Sequence, residues 1–445
     1  MYLFPKGLYV DVRIEDIFET NIAITNENID QFKEKSYKAA FIRVFDGKKW
    51  YYSAVSSAEK IQEEINSLAA MATPDENILE NPIVKKYEIH KDKKLKFTEE
   101  SVRDIAKEEK LALLKKYYPI INKKEYVKVW QANYVDFNVI KTICSSLGTD
   151  LTFDYQRLGF RLGFQLSDGK NTFEERADKG SNYFKDIENC ENLIEERYRE
   201  ATDYLLNAED VEPGVYTVIL SPESAGVFAH ESFGHKSEAD FMIGDEQMKA
   251  EWALGKKIGS DILSIVDTGK LLGAGNVEYD DEGTKAKENY LIKNGVLSGR
   301  LHSVLTATSL EENPTGNARA VNFEYEPIVR MTTTYIKEGS ETKEELFSKV
   351  KNGFYIKTIK HGSGMSTFTI APSLAYKIKD GKIEKPAKIS VITGNVFKTL
   401  GDIDGLSNEC EFLTFTLGGC GKMEQFPLPV GFGGPLVRVN NINVQ

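Results

Sequence analysis

Apolar and polar residues alternate along the chain with two different periods. Around Asp46-Gly47 the flanks AAFIRVF and WYYSAV are rich in β-branched and aromatic residues. Before Asp168-Gly169, Leu158, Phe160, Leu162 and Phe164 fall on every second position. NYLIK precedes Asn294-Gly295, and AYKIK precedes Asp380-Gly381. Asp-Gly and Asn-Gly supply the positive φ values of tight hairpins, so these turns predict extensive antiparallel sheet. Helical spacing lies between them. Ile61, Ile65 and Leu68 recur at i, i+4, i+7 in a helix predicted from Ser57 to Ala72, with Pro74 beyond its end. A second helix is predicted from Thr98 to Tyr118 on Val102, Ile105, Ala106 and Leu113. A third runs from Asp186 to Leu206 on Ile187, Ile194, Tyr198 and Leu205. This mixture predicts an α+β fold.

The pattern changes around residues 207–214. The third helix ends, AEDVEPG reads as a loop, and VYTVIL reads as a buried strand. Two domains are expected: residues 1–207, mixed α and β, and residues 208–445, richer in strand and carrying the chemistry described below. GGCGKMEQFPLPVGFGGPLVRV holds too many Gly and Pro for a long regular element. The 445 residues carry 57 Lys+Arg against 68 Asp+Glu, a net charge of −11. That balance argues against a general nucleic-acid or anionic-membrane binder. No apolar run approaches a membrane span, and MYLFPKGLYVDVR lacks the layout of a signal peptide. The 4 cysteines form no CxxC pair, which fits a reducing compartment and a cytoplasmic protein.

The segment Ser221-Pro-Glu-Ser-Ala-Gly-Val-Phe-Ala-His230-Glu231-Ser-Phe-Gly-His235 carries candidate chemistry. Ser as N-cap, Pro at the first helical position and Glu at the positive end of the dipole start a helix at Ser221. His-Glu followed by a second His is the donor set of a zinc hydrolase, with two imidazole ligands and a carboxylate base. The spacing here is HExxxH, however. Residues i and i+5 of a regular helix diverge by about 140°, against about 40° for i and i+4. The two imidazoles converge only if the helix bulges or ends between them, and Gly234 marks the place. The competing reading is a pair of histidines at a helix C-terminus, favoured by the dipole. A third ligand is required. Glu238, Asp240, His302, His361, Cys410 and Cys420 are the candidates, and Cys420 stands out because glycines flank it.

These motifs, taken in order, resemble the TldD/PmbA family of metalloproteases, in particular its TldD-type, zinc-bearing subunit. HESFGHKSEADF matches the family's HExxxH with a following acidic pair, Glu238 and Asp240. Asp280-Asp281-Glu282-Gly283, Pro314-Thr-Gly-Asn317, Arg330-Met331-Thr332, Gly419-Cys420-Gly421-Lys422 and Pro429-Val-Gly-Phe-Gly-Gly-Pro435 follow in register. The resemblance is strongest from 211 to 440 and weaker over YVDVRIEDIFETNIAITNENID. It implies Zn²⁺ held by His230, His235 and Cys420, with Glu231 catalytic. It also implies small or unfolded peptides as substrate, and a homodimer or a heterodimer with a PmbA-type subunit. Lys236 and Ala318-Arg319 stand where the family pattern has Gly and Gly-Arg, so peptide preference does not carry over.

The expected function is therefore zinc-dependent peptide hydrolysis, with Glu231 as general base. Glu238 and Asp240 are the right residue type to orient the imidazoles, or else a solvated carboxylate pair. His361 is read as a surface histidine or an oxyanion donor, His302 as structurally satisfied, and Cys144 and Cys190 as inert. Two rivals remain. One is a non-catalytic peptide-binding subunit that lost the reaction. The other is a cysteine hydrolase with Cys420 as nucleophile. No P-loop and no strand-linked GxGxxG suggests a nucleotide cofactor.

Overall fold

The computed structural model describes residues 2–414 and 417–445. The N-terminal part is a seven-stranded sheet in which Tyr9–Thr25 pairs with Asn28–Phe45 on one side and Val127–Ser145 on the other. Val127–Ser145 in turn pairs antiparallel with Asp150–Ser167, which also pairs with Thr172–Ser181. The predicted hairpins form. Asn294-Gly295 and Asp380-Gly381 are two-residue turns with φ of 50° and 73°, and 48° and 78°. Asp46-Gly47 and Asp168-Gly169 open four-residue loops between Phe45 and Trp50 and between Ser167 and Thr172.

The first predicted helix spans Ile61–Met71 behind a 3₁₀ turn that starts after Ser57, and its Ile61, Ile65 and Leu68 are buried. The third runs Glu191–Asn207, so Ile187 falls in a preceding 3₁₀ turn. The second differs from expectation: a 3₁₀ turn, Val102–Asp104, is followed by extended residues and then by a helix at Lys107–Tyr117. The cause is tertiary. Gln156 Oε1 accepts from Val102 N–H at 2.9 Å, and the Val102 carbonyl accepts from Lys110 Nζ at 2.9 Å. Side chains thus satisfy backbone groups that a helical ladder would have used. Lys110 then closes a fully buried ion pair with Asp136 at 2.6 Å.

The C-terminal part holds two larger sheets. Ten strands run from the edge strand Ile359–Gly364 through Thr367–Pro372, Val437–Val444 and Gly214–Leu220. Six more place Thr333–Ile336 between Ile265–Thr268 and Gly431–Gly434, with Glu411–Thr414 at the edge. The helix Pro222–Ala229 packs against Gly431–Gly434 and Thr333–Ile336 on one side and Ile359–Gly364 on the other. Its residues Ser224–Ala229 are all buried, which explains why its sequence is apolar all round rather than on one stripe. The hairpin Cys420–Lys422/Gln425–Leu428 forms a two-stranded sheet of its own.

The acidic run Asp280–Glu282 ties the two parts together. Asp281 meets Lys141 at 2.5 Å and Arg13 at 3.5 Å on the N-terminal sheet, and Glu282 meets Arg43 at 3.0 Å. Asp280 caps its own loop by accepting from the Glu282 and Thr284 N–H groups. This motif is therefore the buried polar joint between the N-terminal sheet and the segment 318–320, whose N–H groups it also binds.

Candidate metal centre

Ser221 Oγ accepts from Ser224 N–H at 3.1 Å and Pro222 follows it, so the helix starts as its sequence predicts. Glu223 is not simply a charge at the dipole. Burial, only partly offset by Arg176, pushes its carboxyl up to about 7. At His230 the regular helix stops. His230–Gly234 is a π-helical turn in which His235 N–H donates to the His230 carbonyl, and His235–Ser237 continues as a 3₁₀ turn. The extra residue per turn cancels the divergence that HExxxH spacing imposes on a regular helix. The two rings stand 5.1 Å apart at 80°. Gly234 is needed at the bulge, because a Cβ there would lie 2.1 Å from Met331 Sδ.

Cys420 closes the cluster. Donor atoms of His230, His235 and Cys420 all lie within 4.8 Å of one another, the only such cluster among the described residues. Cys420 Sγ is 3.4 Å from His235 Nε2. Tetrahedral zinc with bonds of ~2.1–2.3 Å holds its ligands about 3.4–3.8 Å apart, so the set needs little movement to fit. A Cβ on Gly419 would lie 2.4 Å from the Leu428 carbonyl, so glycine lets the hairpin close and present the thiol.

The electrostatics fit a cation as well. Burial pushes the Cys420 thiol up, but His230 and His235 outweigh it and hold the group at about 5. Burial pushes His235 down, yet Cys420 and Glu238 hold it at about 10. These shifts favour a thiolate at Cys420, the form in which cysteine binds a metal. His230 Nδ1 is buried and has no hydrogen-bond partner among the described residues. Two imidazoles and a thiolate form a donor set that suits a soft, N/S-binding ion.

The acidic pair divides in two. Glu238, fully buried, has Oε2 3.3 Å from His235 Nδ1 and 2.9 Å from Lys422 Nζ. That contact leaves His235 Nε2 toward the cluster, as a carboxylate–histidine–metal arrangement requires. Asp240 touches neither histidine; both its oxygens accept from Lys422 Nζ at 2.7 Å. Glu231, half-buried on the π turn, makes no hydrogen bond or ion pair among the described residues.

The other candidates lie elsewhere. His302 is buried between Thr306 Oγ1 at 3.1 Å and Glu312 Oε2 at 3.0 Å. His361 is exposed on the edge strand Ile359–Gly364. Burial pushes Cys410 and Cys144 up to about 12, so neither is a thiolate at neutral pH. Cys190 is buried and also raised by burial.

Two supporting residues carry no role in the sequence reading. Arg330, fully buried, donates to the Cys420 carbonyl at 2.7 Å and to the Gln425 carbonyl at 3.3 Å, pinning both strands of the hairpin. Lys422 joins Glu238 to Asp240. Its signal was strand alternation, since residues 420 and 422 share a face once Cys420–Lys422 is a strand.

The sequence profile of the PmbA/TldA metallopeptidase C-terminal domain matches residues 213–445, and that of PmbA/TldA metallopeptidase domain 1 matches residues 10–72. The chain is 30% identical to the metalloprotease slr0863 of Synechocystis sp., covering 98% of this chain and 94% of that one. It is 30% identical to the metalloprotease MJ0996 of Methanocaldococcus jannaschii, over 98% and 97%. A zinc metalloprotease TldD homolog of Saccharolobus solfataricus is 27% identical over 98% and 96%. Among solved structures, TldE from Thermococcus kodakarensis matches with a TM-score of 0.76 at 17% identity, over 98% of this chain and 96% of that chain, which shows the fold. The profile that contains HExxxH and Cys420 spans more than half of the residues, and relatives align end to end, so the chain belongs to the PmbA/TldA metallopeptidase family.

Proposed function

We propose that this chain is a zinc peptidase in which His230, His235 and Cys420 hold the metal and Glu231 is the general base. The convergence of two imidazoles and a thiolate at an interrupted helix carries this reading. Bound there, zinc would supply Lewis acidity and lower the pKa of water toward ~7. Glu231 takes the proton of the attacking water on its carboxylate and returns it to the leaving amine. Glu238 orients His235, and Asp240 acts only through Lys422. The substrate is an extended peptide, small or unfolded. Ile359–Gly364 is a sheet edge, and its Gly362 and Gly364 bring it against Val227 and the Glu231–Ser232 backbone. Such an edge recognises peptide main chain without regard to sequence. We take residues 1–207 and 208–445 as the two domains. The working protein is a cytoplasmic dimer, with itself or with a PmbA-type subunit.

Chelation tests the reading. Hydrolysis of a peptide library is expected to stop when zinc is stripped and to return when it is restored, and iodoacetamide is expected to modify Cys420 only after stripping. Hydrolysis that survives stripping but is blocked by iodoacetamide would instead favour a cysteine nucleophile. Glu238→Gln removes the charge facing His235 Nδ1. Zinc affinity, read by competition with a chromogenic chelator, is expected to fall about 10–100-fold. An unchanged affinity would deny Glu238 its orienting role.

A further inference from the structure

A cavity of about 80 Å³ lies between the N-terminal sheet and the segments that carry the metal hairpin. The long strands contribute Phe137, Lys141 and Arg157; the other wall contributes Arg319, Leu428 and Pro429. Its size admits a carboxylate or a few waters. Its charge is unusual for a chain of net charge −11. Two carboxylates, Glu15 and Asp281, are shared by two cations: Arg13 meets them at 2.9 and 3.5 Å, Lys141 at 3.6 and 2.5 Å. Neither of the two remaining cations has a carboxylate at ion-pair distance among the described residues, although Glu19 acts on Arg157 and Asp281 on Arg319 from further away. Arg319 donates only to carbonyls, of Met331 at 2.5 Å and Pro429 at 2.8 Å.

Arg157 has no hydrogen bond or ion pair among the described residues. Its guanidinium lies over the Phe137 ring at 4.5 Å, its cross-strand partner, which fixes the plane of the fork. Burial, with Arg319, pushes the group down to about 10 against Tyr155 and Glu19, so it stays charged at neutral pH. A planar, held and unanswered guanidinium in a cavity is complementary to a carboxylate.

The place matters too. Leu428 in the cavity wall is the register partner of Cys420, and Arg319 holds the Met331 carbonyl, whose side chain packs on Gly234 beside His235. Paired strands stand about 5 Å apart, and extended peptide advances about 3.3 Å per residue. One wall of the cavity therefore lies one strand spacing, about 5 Å, from the Cys420 backbone.

We propose that this cavity receives the free C-terminal carboxylate of a bound peptide against Arg157, so that the protein removes short pieces from peptide C-termini. Water then adds across an amide bond near that end, its oxygen to the carbonyl carbon and a proton to the departing amine. The proposal deepens the peptidase reading and rests on it for the reaction, but not for the binding.

The test uses N-acetyl-Ala-Ala-Ala as free acid and as C-terminal amide, on the zinc-loaded full chain, with calorimetry for binding and mass spectrometry for hydrolysis. Wild type is expected to bind the acid roughly 10–100-fold tighter than the amide, the range of a charge-assisted pair. In Arg157→Met that ratio is expected to fall to about one, and in Arg157→Lys to take an intermediate value. Arg157 makes no hydrogen bond or ion pair among the described residues and only covers the Phe137 ring, so the thermal midpoint of either variant serves as the folding check. An acid-to-amide ratio of one in wild type, a ratio untouched in Arg157→Met, or no binding of either peptide would overturn the site. So would an amidated peptide ending in Asp that binds as tightly as the free acid. Equal hydrolysis of acid and amide would overturn the site and leave the peptidase reading standing. Arg157-dependent binding of the acid without hydrolysis would keep the site and sink that reading.

Discussion

Glu231→Gln is expected to lower kcat on a cleaved peptide by about 10²–10⁴, some 3–5 kcal/mol of barrier, with zinc content unchanged. The amide keeps the shape and length of the carboxylate but accepts no proton. Glu231 supports neither fold nor metal: its side chain makes no hydrogen bond or ion pair among the described residues, and the donor cluster is formed by His230, His235 and Cys420. The variant should therefore fold and load like wild type. The loss should fall on kcat more than on KM, because the proton moves only as the reaction proceeds. A metal-loaded variant with undiminished turnover would remove Glu231 from the mechanism. A variant that loses both zinc and turnover would make it a ligand or a structural residue instead.

Much of the site was legible because it is local. HExxxH cannot converge on a regular helix, so a shared site predicted a bulge or a helix end near Gly234, and a π turn stands at His230–Gly234. Ser221-Pro222 fixed where that helix starts, and Asn294-Gly295 and Asp380-Gly381 fixed two hairpins, since each is a matter of a few neighbouring dihedral angles. What was not legible depends on residues far apart in the chain. Val102–Ala106 has helical spacing, yet Gln156 and Lys110 capture the Val102 backbone and the helix starts later. Arg330 reaches the Cys420 carbonyl across 90 residues. The acidic pair looked equivalent, but only Glu238 reaches His235, while Asp240 pairs with Lys422. Choosing Cys420 over the other candidate ligands needed the family resemblance, and its flanking glycines explain only how the hairpin approaches.

Cys420→Ser should abolish stable zinc binding. Structural zinc in four-ligand sites is worth about 10–16 kcal/mol, or roughly 2.5–4 kcal/mol for each ligand, so losing one costs about 10²–10³ in affinity. Serine is no thiolate, and its hydroxyl stays protonated where Cys420 is held at about 5 by His230 and His235 against burial. The substitution is nearly isosteric, and the hairpin retains its anchor, since Arg330 holds the Cys420 main-chain carbonyl rather than the sulfur. A fold change would thus not masquerade as metal loss. The most direct measurement is zinc per chain by native mass spectrometry, after reconstitution and dialysis, on wild type and Cys420→Ser side by side. One zinc per wild-type chain and none in the variant is the predicted result. A wild type that holds no zinc, or a Cys420→Ser chain that keeps it, would contradict the His230–His235–Cys420 centre.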